Sequence, residues 1–145
     1  MTRYGCQRAH QERRGAAFLA LVRAWAAGAV VLVFTEYAQA TLVYDYVATG
    51  PRLETFGGRL LLIHLPNALC IASAAWAAAR VHHEPYRAST PRHLTAAFAV
   101  PVVAQLLNMA VQWEELAAEG LLLSNAVLVV GCVAGYAGDR LQDGD

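Results

Sequence analysis

The chain is 145 residues long, 57% hydrophobic and 15% charged, and its eleven basic and eleven acidic residues cancel to a formal charge of zero. With a mean hydropathy of +0.37 it is too apolar for an ordinary soluble domain, and it lacks the surplus of cations that a phosphate backbone demands. The membrane class comes first, and a nucleic-acid partner is excluded.

Residues 1–14 carry Arg3, Arg8, Arg13 and Arg14 and read as a basic tail. The apolar run that follows is longer than the ~7–15 residues of a signal-peptide core and has no clear small-residue cleavage site. It is therefore expected to stay in the protein as a first span over 16–36. Ala16, Ala20, Ala24 and Gly28 recur at every fourth position, which predicts a flat face for close approach of another helix. Arg23 interrupts this span and is expected to snorkel back to the headgroups. The connection over 37–59 holds Tyr37, Tyr44 and Tyr46, the pattern of an interfacial aromatic belt. Its first part extends the first helix until Gly50-Pro51 breaks it.

A second span over 60–79 carries His64, Pro66 and Asn67 in its first turns and then becomes Ala-rich. Pro66 is expected to kink it, and the Ala run to place it centrally among its neighbours. The turn 80–93 is basic, with His82, His83 and His93. A third span over 94–113 contains Pro101, and the stretch Gln105–Glu119 places polar residues at 105, 108, 112, 115 and 119, one helix face. A fourth span over 120–138 carries Gly131 and Gly135 in the small-xxx-small pattern of packed membrane helices. The tail from Asp139 onward reads as polar and frayed. The fold class is thus an all-α integral membrane bundle of four transmembrane helices in one domain, 1–145.

The arginines set an orientation. With four spans, Arg3, Arg8, Arg13, Arg14, Arg80, Arg87, Arg92 and Arg140 fall on one side and Arg52 and Arg59 on the other, so both termini are expected in the cytoplasm. The absence of Lys, together with the Ala content, suggests a high-GC genome and hence a bacterial inner membrane. In that frame Glu36, His64, Asn67, Gln105, Asn108, Gln112, Ser124 and Asn125 all lie roughly 5–15 Å below the outer surface at 1.5 Å per residue. They form an outer polar layer above an inner half of Ala, Gly, Val and Leu. That layer serves either as interhelix hydrogen bonding or as a cavity open to the outside, in which Glu36 and His64 are the titratable members.

No cofactor is expected. Only His64 lies inside a span, which argues against a di-histidine haem. His82, His83, Glu84 and His93 lack usual metal-ligand spacing and read as a solvated basic turn, so no metal is expected. Cys6, Cys70 and Cys132 form no CxxC, and the latter two are expected to act as small core hydrophobes. Hydrolase and nucleotide motifs are absent, and no motif ties the chain to a known family. The leading expectation is a non-enzymatic accessory or assembly component. It would bind another copy of itself, or another membrane protein, through its small-residue faces (Ala20, Ala24, Gly28; Gly131, Gly135) or its acidic outer rim. The alternatives are a small transporter or channel-like subunit lined by the polar layer, and a membrane enzyme or small-ligand receptor using the same cavity.

Overall fold

The computed structural model of the chain describes residues 3–44, 53–82, 89–111 and 118–142, and the side-chain surroundings within 15–42, 53–82, 89–111 and 120–142. The long helices are α1 (Arg3–Gln39), α2 (Leu65–Val81), α3 (Thr90–Val111) and α4 (Ala118–Gln142). All the described elements are helical, and four segments are long and apolar enough to cross a membrane: Gly15–Leu42, Phe56–Val81, Thr90–Val111 and Gly120–Gln142. The expected tail 1–14 is helical from Arg3, because α1 starts there. Its 37 residues correspond to about 55 Å at 1.5 Å per residue, well beyond a ~30 Å hydrocarbon core.

Two departures from the expected helices have local causes. The second span opens with a short helix, Phe56–Arg59, whose N-cap Thr55 accepts a hydrogen bond from the Gly58 amide at 3.1 Å. A π-helical turn, Leu60–His64, then leads into α2. Pro66 follows that turn directly, inside a helical run from Phe56 to Val81, and a π-helical turn beside a proline is one way a helix accommodates the missing N–H. Pro101, by contrast, is inside α3 and buried.

The exterior is apolar and the interior is small. Phe18, Val30, Val33, Phe34, Leu106, Leu107, Val111 and Leu122 are among the exposed large side chains, whereas the buried set is dominated by Ala24, Ala74, Ala75, Ala78, Ala79, Ala96 and Ala97. This is the arrangement for a lipid exterior, where apolar tails solvate Leu and Phe and helices associate by close backbone packing. Helix α2 is central, packing against α1, α3 and α4. A Cβ placed on Gly28 would lie 3.2 Å from Ala78 Cβ, one on Gly131 would lie 2.7 Å from the Ile71 side chain, and one on Gly135 would run into the Ala72 carbonyl. At Gly131 and Gly135 only glycine permits the approach as it stands, whereas at Gly28 the neighbours would have to give by a few tenths of an ångström.

Each helix presents its buried face as a row with a step of four. Ala24, Gly28, Leu32 and Glu36 form the row on α1; Asn67, Ile71, Ala75 and Ala79 form one on α2, beside Ala74, Ala78 and His82. His93, Ala97, Pro101 and Gln105 form the row on α3, and Val127, Gly131, Gly135 and Asp139 the row on α4. Small or apolar residues fill the middle of the rows, and polar side chains occupy their ends. The expected packing residues lie within the chain: Gly28, Gly131 and Gly135 face α2, Ala24 is buried, and Ala20 is half-buried at the edge.

Candidate functional site

The polar row-ends meet in two places. At one end of the bundle, where α1 and α3 finish and α2 begins, Glu36, Asn67, Gln105 and Asn108 surround a cavity of about 180 Å³ whose remaining walls are Leu32, Ile71, Pro101 and Ala104. Glu36 and Asn108 are exposed at its edge, and Asn67 and Gln105 are half-buried within it. The Gln105 amide nitrogen is fully buried and has no hydrogen-bond partner among the described residues. Carboxylate and amides from three helices thus converge on a space.

Four of the eight expected layer residues, Glu36, Asn67, Gln105 and Asn108, are brought together here; three of the others are not. His64 lies in the same helical row as Ala68, and both line an apolar groove of about 590 Å³ toward α4 with Leu61, Leu65, Val127 and Val130. Asn67, one position before Ala68, points about 100° away toward α1 and α3. His64 is therefore not a member of the cavity. Ser124 and Asn125 turn onto their own helix, donating to the Leu121 carbonyl at 3.2 and 2.7 Å. Gln112 lies outside the described residues, as do His83 and Glu84.

One neighbouring polar residue escaped the sequence reading as a site member. Gln39, one turn beyond Thr35, donates to the Ile63 carbonyl at 3.5 Å and accepts from the Cys70 thiol at 3.2 Å. It ties α1 to the π-turn ahead of α2. Cys70 and Cys132 are free and buried, as expected of small core residues.

The other polar meeting point is at the α2–α3 turn, where the expectation of a solvated basic segment and a frayed tail fails. His82, His93 and Asp139 are all 0% exposed. His93 Nε2 lies 3.1 Å from Asp139 Oδ2, the His82 ring stacks on His93 at 5.7 Å, and Tyr136 tilts against His93 at 5.4 Å. Arg140 covers Tyr136, with its Nε and Nη2 3.1 and 2.9 Å from the phenol oxygen. The half expected to hold only Ala, Gly, Val and Leu thus contains a buried polar cluster. Asp139 is held there because α4 continues to Gln142 and places it four residues after Gly135, on the face that already packs against α2. Among the described residues, no set of three His, Cys, Asp or Glu is arranged to hold a metal ion.

Compared with protein-family models, curated proteins and solved structures, the chain matches none.

Proposed function

We propose that this is a small multi-pass membrane protein that binds a small polar solute in the cavity between α1, α2 and α3, in the manner of a transporter or channel-like subunit. One observation carries the reading: Glu36, Asn67 and Gln105 come from three different helices to line one space, and the Gln105 amide nitrogen has no hydrogen-bond partner among the described residues. Polar residues that serve only to join membrane helices bond across the interface. Polar residues around an unfilled space are what a solute site requires.

For the accessory-subunit reading, Gly28, Gly131 and Gly135 pack against α2 inside the chain, which leaves the acidic outer rim as the surface for a partner. For orientation we keep the arginine argument, with both termini in the cytoplasm of a bacterial cell and the cavity toward the outside.

Solvent access tests the proposal directly. In a chain carrying Cys6→Ala, with buried Cys70 and Cys132 as unreactive internal controls, Asn67→Cys should be alkylated by a membrane-impermeant thiol reagent added outside intact cells. Leu106→Cys, on the lipid-facing side of α3, should not be. Equal rates at the two positions would remove the aqueous cavity and the solute-binding reading with it.

A further inference from the structure

We infer that the ligand of this cavity is a small protonated amine, an organic ammonium that also carries a hydrogen-bond acceptor; the inference rests on the solute-binding reading above. Among the described residues the lining contains one carboxylate, Glu36, three amides and no basic side chain. A carboxylate at membrane depth requires a balancing positive charge, since an unpaired ion in a low-dielectric layer is strongly disfavoured. No described residue of the cavity wall supplies that charge, so it enters from outside as a proton or as the ligand. The same carboxylate repels an anion.

Size and wall chemistry choose among cations. The cavity of about 180 Å³ holds about six waters at their ~30 Å³ share of the liquid, far more than a bare ion needs. A hard metal ion wants about six or more oxygens at ~2.0–2.6 Å. Half of this lining (Leu32, Ile71, Pro101 and Ala104) is apolar. An organic ammonium uses both halves, with its N–H groups directed at Glu36 and the amide carbonyls of Asn67 and Asn108, and its carbons against Leu32, Ile71 and Pro101. Gln105 lines the same cavity and its amide nitrogen has no partner among the described residues, so a turn of that amide would meet an acceptor on the ligand, such as a hydroxyl. The shared chemistry is an amino alcohol, either free or as a lipid headgroup.

The test uses the full chain in phosphatidylcholine nanodiscs at neutral pH, with three probes of similar size followed by ligand-observed NMR: ethanolamine, propylamine and 1-propanol. Ethanolamine should bind most tightly, propylamine several-fold more weakly, and 1-propanol not detectably. Glu36→Gln, a near-isosteric change at an exposed position, should weaken both amines at least tenfold. Gln105→Leu should erase only the advantage of ethanolamine over propylamine. Displacement of ethanolamine by phosphatidylethanolamine in the disc would support the inference and identify the lipid as its source; no displacement would support it with a free amine.

Binding of 1-propanol as tight as that of the amines, or amine binding unchanged by Glu36→Gln, would overturn the inference. If in that case Asn67→Leu still abolished 1-propanol binding, the solute-binding reading would survive with a neutral ligand. If no probe bound and Asn67→Cys also proved unreactive, both readings would fall together.

Discussion

At the α2–α3 turn His93 meets Asp139 at 3.1 Å with both side chains fully buried. About 18 Å away along α3, at 1.5 Å per residue, Gln105 lines an open space, and its buried amide nitrogen has no partner among the described residues. Both places arise in the same way, as polar ends of rows that repeat every fourth residue. They differ in the residues behind them. Next to His82, His93 and Asp139 the rows hold Ala78, Ala79, Ala97 and Gly135, so backbones approach closely and the polar groups touch. Next to Glu36, Asn67 and Gln105 they hold the bulkier Leu32, Ile71 and Pro101, which wall the space between α1, α2 and α3, while on its other side Ile71 meets Gly131 of α4 closely. Spacer size therefore decides whether a polar row-end becomes a clasp or a cavity.

Removing one partner from the clasp gives the largest expected effect. Asp139→Ala leaves His93 buried without its carboxylate, and breaking a buried ion pair costs about 3–5 kcal/mol. Reversible unfolding of the reconstituted protein by a denaturing detergent should show a loss near the lower figure. Interhelix hydrogen bonds between neutral groups in membranes average only ~0.6 kcal/mol. A loss of that smaller size would mean that the pair is an uncharged hydrogen bond, and the contrast with the cavity would weaken accordingly.

A smaller loss should follow from widening the close approach behind the clasp. In Gly135→Ala the added methyl would collide with the Ala72 carbonyl of α2, a backbone atom that can yield only if the helices separate. Overpacking of this kind costs about 1–3 kcal/mol. Gly138→Ala is the control, because its nearest neighbour is Trp76 Cδ1 at 3.7 Å, an ordinary contact, and stability there should hold or rise by up to ~1 kcal/mol from the better helix propensity of Ala. An equal gain at both sites would show that helix propensity and not helix approach sets the response.

The bundle was legible in the sequence because its signals are physical necessities. Twenty-residue apolar runs and glycines four apart at 131 and 135 each have few other uses in a chain this apolar. The cavity was half legible: Glu36, Asn67, Gln105 and Asn108 share a depth, but depth says nothing about azimuth. His64 has the right depth and the wrong side, because its row continues to Ala68 and not to Asn67. The clasp was missed for a complementary reason. His82 and His93 flank a basic turn and Asp139 begins a polar tail, so local composition hid them, yet the step of four from Gly131 and Gly135 continues to Asp139 and carried the signal. Where a small-residue row ends on a polar side chain, that side chain belongs to the packed face whatever its flanks suggest.

The smallest expected effect separates the two regions most cleanly. Gln105→Leu deletes a polar group as Asp139→Ala does, but in the cavity no bonded partner is left behind. The cost of removing a hydrogen-bonding group comes mainly from the partner it orphans, about 1–3 kcal/mol when that partner is buried. Here the buried, unbonded amide nitrogen is itself the orphan, and replacing it with an apolar group of similar volume removes a desolvation penalty. The unfolding free energy should stay within ~0.5 kcal/mol of wild type or rise. A loss of ~1 kcal/mol or more would mean that Gln105 has a bonding partner in the membrane, and that both ends of the bundle are clasps.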